Sequence, residues 1–398
     1  MNILFVCMVW PKPGFSNMYS DLMSEFVEEK HNVFVATLSE KRQRMKTSLN
    51  KENGINVLRV RCGNIQKVNK YRKVISSYLS GYYLRHNVKK YFKKTKIDLM
   101  IFALPPLTIA KKIIDIKKYF GCKLYLLLKE FWPQDPADLG AMKVNGLVWK
   151  YFKSLENLIY SKSDFIGTMS EAGIEYLKMN KHSSSSVLEV NPNCKKDNNY
   201  HPCDRYLINK IRNDYAIPLN KKVFVFGGNL GISQGIPEMI LSISACENVD
   251  LAFFLIIGDG TEYDKVKDNL GHQKNVMVLK RLDEKEYDNV LSACDYGLIF
   301  LYPDYSVPNI PSRFISYIKY GMPVLACIDH ATDLGKIISN NNCGYFVYSG
   351  DVMGFRENVI RLINDDTREM KDNCIDLFKS KYTSRICYEI IISHFKRS

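Results

Sequence analysis

Three stretches of the chain combine side chains and backbone that can hold an anion or a sugar. The first is Pro308-Asn309-Ile310-Pro311-Ser312-Arg313, a polar loop feeding a short helix that Gly321 and Pro323 stop. Asn309 or Ser312 can cap that helix, and Pro311 fits a first turn where its missing N–H costs nothing. Free backbone N–H groups, the positive end of the helix dipole and the Arg313 guanidinium then meet at one point, which is what a phosphate needs. An ordinary loop-to-helix junction of an α/β domain is the alternative. The second stretch is Gly227-Gly228-Asn229-Leu230-Gly231-Ile232-Ser233-Gln234-Gly235. Its glycines let backbone N–H groups approach a diphosphate without Cβ interference, although the spacing is not a dinucleotide fingerprint and a tight turn explains it equally. Gly258-Asp259-Gly260 closes the next strand, and there Asp259 either meets a ligand or caps the following helix.

The third stretch, Glu130-Phe131-Trp132-Pro133-Gln134-Asp135-Pro136-Ala137-Asp138-Leu139-Gly140, follows the strand-like run 123–128. Carboxylates, an amide, an indole and proline turns at a strand end form a surface suited to binding or reacting a sugar. Capping of a helix near Val144 is the competing explanation.

These stretches need elements to position them. Strand-like runs at 3–8, 33–37, 57–60, 99–103, 123–128, 165–168 and 187–190 alternate with helical ones at 18–29, 107–119, 147–160 and 171–177. That rhythm implies a parallel sheet covered on both faces. A second series has strands at 223–226, 252–257, 276–279, 296–301, 324–328 and 345–347, with helices between them and three more helices at 351–362, 367–378 and 384–395. The expected organisation is an α/β chain of two Rossmann-like doubly wound domains facing each other across a cleft. Residues 1–192 form the first, 193–204 a polar linker, 205–380 the second, and 381–398 a terminal helix packing back toward the first domain. The serine run 183–186 reads as a loop.

Composition narrows the function. The formal charge is +14, and the region 41–96 supplies all of that excess, with 17 Lys and Arg against one acid, Glu52. Within it Tyr71, Val74, Ile75, Tyr78, Tyr82, Tyr83, Val88, Tyr91 and Phe92 recur at mostly three- and four-residue steps among Arg72, Lys73, Arg85, Lys89, Lys90, Lys93 and Lys94. A basic helix with an aromatic stripe suits an anionic membrane surface, or else it is a charged face over an aromatic core face. No nucleic-acid motif accompanies it, so no nucleic-acid partner is expected. No apolar run reaches the length of a membrane span, and Met1-Asn2-Ile3-Leu4-Phe5-Val6-Cys7 reads as a strand rather than a signal peptide. A cytoplasmic protein, peripheral at the inner membrane face, is expected. Eleven scattered cysteines without a Cys-x-x-Cys pair argue against a zinc site or a disulfide framework.

Taken together, the motifs resemble those of the GT-B glycosyltransferases, specifically family 4 and its bacterial O-antigen and capsule branch. Glu130-Phe131-Trp132-Pro133-Gln134 through Leu139-Gly140 is similar to that branch's Asp-Leu-Trp-Pro-Gln segment. Gly228 to Gly235 is similar to Gly-Asn-Leu/Ile-Gly-x-x-Gln-Gly, and Pro311 to Pro323 to Pro-Ser-Lys/Arg-x-x-x-Tyr-x-x-x-Gly-x-Pro. The resemblance implies a retaining, metal-independent transfer of a sugar from a nucleotide sugar, a UDP-sugar above all, to a glycan or polyprenyl-diphosphate-linked acceptor, with no cofactor. Glu130 and Arg313 would be catalytic. Gly14, Trp132, Asp135, Gly228, Asn229, Leu230, Gly231, Gln234, Asp259, Asn309, Pro311, Ser312 and Ser316 would bind substrate. Many family members carry a Glu-x7-Glu pair whose second member holds the ribose; Pro308 and Ser316 stand at those positions here. Asn229 and Gln234 replace an Arg and a Lys that many members use on the diphosphate. A module of the same fold that binds a nucleotide or a partner transferase without catalysis is the alternative.

Overall fold

The structure is a computed structural model that describes residues 1–65, 70–180, 186–198 and 204–395, with side chains described except at 70–75 and 284. The expectations for serines 183–185, linker residues 199–203, residues 396–398 and the side chains of Tyr71, Arg72, Lys73, Val74 and Ile75 lie outside the described residues. The chain divides into two units, Met1–Lys196 with Ser384–Ser398, and Asp197–Thr383.

In unit 1, strands β1 (Asn2–Cys7), β2 (Asn32–Glu40), β3 (Ser48–Glu52), β4 (Ile55–Cys62), β5 (Leu99–Leu104), β6 (Lys123–Leu128), β7 (Phe165–Thr168) and β8 (Val187–Val190) form one sheet. Their order is β3-β4-β2-β1-β5-β6-β7-β8, and only β3–β4 is antiparallel. Residues 3–7, 99–104 and 124–128 are buried without alternation because helices cover both faces. β3 has no counterpart among the expected strands. Its hairpin turns on Asn53-Gly54, with φ of 47° and 83°, the pairing that an Asn-Gly turn favours. The sequence signal was present, but the strand SLNKE is short and polar.

The helix Lys70–Tyr91 forms in the expected place but turns a different face inward. Ser77, Ser80, Leu84 and Val88 are buried, while Tyr78, Tyr82, Tyr83 and Tyr91 are exposed. Small residues face the core because the neighbouring helix Ala110–Phe120 approaches closely: a Cβ on Gly81 would lie 3.1 Å from Lys112 Cγ. The rings of Tyr78, Tyr82, Tyr83 and Tyr91 are therefore a surface feature, whereas Val88 and Phe92 of the same stripe are buried.

The helix Ser384–Ser393 completes the unit 1 core by packing Cys387, Tyr388, Ile391 and Ile392 against Leu22, Met23 and Phe26. The Phe26 and Tyr388 rings meet edge to face at 4.7 Å, and Ser384 Oγ donates to buried Glu25 Oε1 at 2.6 Å.

Unit 2 holds β9 (Lys222–Asn229), β10 (Ala252–Asp259), β11 (Val276–Lys280), β12 (Tyr296–Phe300), β13 (Val324–Ile328) and β14 (Gly344–Tyr348). The order is β11-β10-β9-β12-β13-β14, all parallel, with the strand order reversing between β9 and β12. β9 stays paired with β10 as far as Asn229, but with β12 only at Phe224 and Val225. Beyond Val225 the two strands no longer pair, at the switch point whose crevice, at the carboxyl ends of the sheet, is where α/β proteins bind ligands.

Candidate functional site

The helix Ser312–Lys319, which follows β12, places Arg313 and Tyr317 at that crevice. The Tyr317 hydroxyl accepts the Gly227 N–H at 3.1 Å, taking the place of the β12 partner that β9 has lost. Two glycines make room for the tyrosines. A Cβ on Gly297 would lie 2.3 Å from the Tyr317 ring, and one on Gly227 would lie 1.9 Å from Tyr287 Oη.

The Arg313 guanidinium lies over the Phe226 ring, 4.1 Å from its centroid, and Nη2 donates to Gln234 Oε1. A Cβ on Gly228 would come within 3.3 Å of Nη2, so the glycine lets the strand end lie close to the cation. The residue keeps some exposed surface, yet Nη1 is sealed from solvent and makes no hydrogen bond. Among the described residues no carboxylate pairs with it. Burial pulls its pKa down, and the Tyr317 and Tyr287 hydroxyls act in the opposite direction. A cation without a carboxylate partner among the described residues, its Nη2 beside the exposed strand end at Gly228, is placed to receive an anion.

The rest of the loop is fixed by backbone bonds. Leu230 N donates to Asp259 O and Glu262 N to Leu230 O, both at 2.9 Å. Gly235 adopts φ 53° where a Cβ would strike Leu301 O. Two local expectations are corrected. The helix Ser312–Lys319 has Pro311 at its N-cap with no side-chain cap, so neither Asn309 nor Ser312 caps it, and Asn309 O instead accepts Thr332 Oγ1 at 2.7 Å. Asp259 ends β10 and takes the Gly260 N–H at 2.9 Å, while Glu262 stands at the N-cap of the next helix, so Asp259 is not its cap. Ser312 is exposed, Asn309 and Pro311 are half-buried, and Gly231 and Ser316 are buried.

In unit 1 the third stretch folds on itself at the end of β6. Asp135 Oδ2 accepts the Phe131 N–H at 2.6 Å from within the short helix Gln134–Asp138, so this carboxylate closes its own turn. The helix near Val144 starts at Leu147 with Gly146 at its N-cap and no side-chain cap. Burial, reinforced by the charge of Glu130, holds Asp135 well above the usual carboxylate range. Trp132 Nε1 donates to Glu130 Oε2 at 3.2 Å. Glu130 keeps exposed surface, yet the atoms crowded around its carboxyl push its pKa up, opposed by that indole bond. Lys129 Nζ bridges Asn191 O and Pro192 O at 3.0 Å each, and burial lowers its pKa. Gly14 is exposed at φ 88° in the loop after β1, with open space where a Cβ would stand.

Residues 208–377 match the family model described as glycosyl transferases group 1. Sequence similarity extends to a probable glycosyltransferase, WbjE of Pseudomonas aeruginosa, at 24% identity over 266 residues, 65% of this chain and 64% of that protein. The match thus spans just under two thirds of that relative's length. Among solved structures, the sucrose-phosphate synthase of Thermosynechococcus elongatus superposes with a TM-score of 0.79 at 13% identity, covering 99% of this chain and 98% of that one. HepE of Anabaena, solved in complex with UDP-glucose, gives 0.68 at 14% identity over 99% of both chains. The chain has the GT-B fold, with two α/β domains built on largely parallel sheets.

Tyr287, Phe226 and Asp329 escaped the sequence reading. Tyr287 comes from the helix Glu284–Ser292 behind β11, and no local pattern links it to Gly227. Tyr317 was legible as the tyrosine of the Pro-Ser-Arg-x-x-x-Tyr pattern. Asp329, buried at the end of β13, holds the Ala331 and Thr332 N–H groups at 2.7 and 2.9 Å and so braces the turn that meets Asn309.

Proposed function

We propose that the protein is a retaining, metal-independent glycosyltransferase of the family 4 kind. It moves a sugar from a nucleotide sugar, a UDP-sugar, to a glycan or polyprenyl-diphosphate-linked acceptor in surface-glycan assembly such as capsule or O-antigen, at the cytoplasmic face of the inner membrane. The observation that carries this is Arg313, an arginine with no carboxylate partner among the described residues, whose Nη2 stands beside the exposed Gly228 strand end. The glycosyl transferases group 1 match over the same unit and the UDP-glucose complex of HepE support it. Negative charge grows on the leaving diphosphate as the glycosidic bond breaks, and a cation fixed by Phe226 and Gln234 stabilises that charge more than the ground state. Asn229, Leu230, Gly231, Asn309, Pro311, Ser312 and Asp259 would complete the donor side, and Gly14, Glu130, Trp132 and Asp135 the acceptor side.

Screening nucleotide sugars for transfer, with Arg313→Ala and Glu130→Ala as controls, tests the reading. Transfer should persist in a metal chelator, retain the anomeric configuration and vanish in both variants; unchanged turnover in both would remove the site assignment. A second reading, a GT-B module that binds a nucleotide or a partner transferase without catalysis, is favoured by Ser316, which is buried on the helix where many family members carry the ribose-holding Glu. Nucleotide binding without transfer to any acceptor would establish that reading instead.

A further inference from the structure

Unit 1 leaves a group of apolar side chains in water that its core does not use. The helix Leu147–Lys162 begins with Leu147 88% exposed, Val148 58% exposed and Tyr151 exposed, and Val144 just before it is exposed as well. On the helix Lys70–Tyr91, Tyr78, Leu79, Tyr82 and Tyr83 are exposed. The helix Ala110–Phe120 packs against both and brings the two sets to one side of the unit. Its Lys112 Nζ sits 3.9 Å from the Tyr82 ring centroid. Tyr78 and Tyr82 share a hydroxyl bond of 3.0 Å, and the Tyr78 pKa is raised by Tyr82 first and, in least measure, by Tyr151 from the other helix.

The charge around these side chains is of one sign. No acid occurs over residues 53–97, nor over 139–155, which carry Lys143, Lys150 and Lys153. Two acids near the group are engaged: Asp115 by Arg85 at 3.4 Å and Lys112 at 3.8 Å, and buried Glu156 by Lys153 at 2.6 Å. Among the described residues no helix is long and apolar enough to cross a membrane.

We propose that this surface docks unit 1 on an anionic lipid bilayer. Leu147, Val148 and Val144 enter the acyl boundary, the tyrosines lie at headgroup depth, and Lys143, Lys150, Lys112 and Arg85 meet lipid phosphates. Tyrosines interleaved with lysines around a small aliphatic tip suit the graded polarity of a headgroup layer. The Trp132–Phe152 ring contact at 5.5 Å ties the surface to the Glu130 loop, which would thereby be held at the depth where a lipid-linked acceptor presents its headgroup. This deepens the acceptor half of the proposed function, whereas the test below reads lipid binding alone.

The full chain is sedimented with vesicles of phosphatidylcholine and of phosphatidylcholine mixed with phosphatidylglycerol, at low and high salt. Binding should appear with the anionic vesicles, weaken with salt, and fall about tenfold or more in Leu147→Ser/Val148→Ser. A second variant, Lys143→Glu/Lys150→Glu, should lose binding to anionic vesicles. Both variants alter exposed positions, so unchanged circular dichroism and unchanged nucleotide binding by unit 2 are expected. Equal binding to neutral vesicles, no vesicle binding by the native chain, or native-like binding of the first variant would each overturn the proposal. Failure of the transferase reading would show separately, as absent nucleotide binding with lipid binding intact.

Discussion

Arg313→Met should move stability and ligand binding in opposite directions. In the native protein the guanidinium is largely desolvated and faces no acid, a costly arrangement for a charge unless an anion arrives. Methionine keeps the stem and can still contact the Phe226 ring through sulfur. The variant loses about 2 kcal/mol of cation–π attraction and about 1 kcal/mol from the bond to Gln234, and it gains several kcal/mol from not burying a charge. Without ligand the melting midpoint should therefore stay level or rise. With a diphosphate bound the balance reverses. A unit charge about 4 Å from a phosphate at an effective dielectric near 20 is worth about 4 kcal/mol, so loss of about 2–4 kcal/mol should weaken UDP binding or transfer by about 30- to 1,000-fold. The assay is thermal unfolding with and without UDP. Ligand at about 100 times its Kd adds about 2.7 kcal/mol, or about 5–10 °C for a domain of this size. The native chain should show that shift and Arg313→Met should not. A variant that melts several degrees lower without ligand, yet keeps the full UDP shift, would refute the reasoning and make Arg313 a structural residue.

Gly227→Ala should cost about 1–3 kcal/mol through overpacking, since the new methyl falls 1.9 Å from Tyr287 Oη and 2.5 Å from Cε2. Adding Tyr287→Leu should recover at least half of the loss, which a double-mutant cycle in denaturant reads as coupling; additive effects would contradict the contact. Asp135→Asn should stabilise the protein at about pH 8 and do little at about pH 4. The folded-state pKa of Asp135 is raised, so the folded chain holds more protons than the unfolded one above the ordinary carboxylate range, and stability falls as pH rises toward the raised value. The amide oxygen still accepts the Phe131 N–H, so a midpoint that drops equally at both pH values would contradict the assignment.

Much of the architecture was legible in the sequence, because strands buried on both faces print themselves as unbroken apolar runs, as at 99–104 and 252–257. What failed depended on neighbours. The inner face of the helix Lys70–Tyr91 is set by how closely Gly81 lets Lys112 and Ile109 approach, and ring periodicity carries no record of that. β9 runs through the glycines to Asn229 because β10 continues beside it, whereas the glycines alone looked like the end of a strand. The arginine at the crevice was visible as a residue, but its sealed Nη1 and its stacking on Phe226 exist only after distant segments have folded together. Tyr287 belongs to the same class.

The chain leaves unit 1 at Lys196 and returns to it at Ser384, which makes the whole of unit 2 an insertion in the sequence of the first unit. On a ribosome, then, the helix that covers Leu22, Met23 and Phe26 emerges only after Asp197–Thr383 has been made, a delay of about 10–40 s at ordinary elongation rates. Unit 2 is contiguous and can finish first, while unit 1 waits with an apolar face open to misassembly. A chain cut before Ser384 should therefore be insoluble even though every strand of both sheets is present, and a permuted chain beginning at Ser384 should shorten the wait.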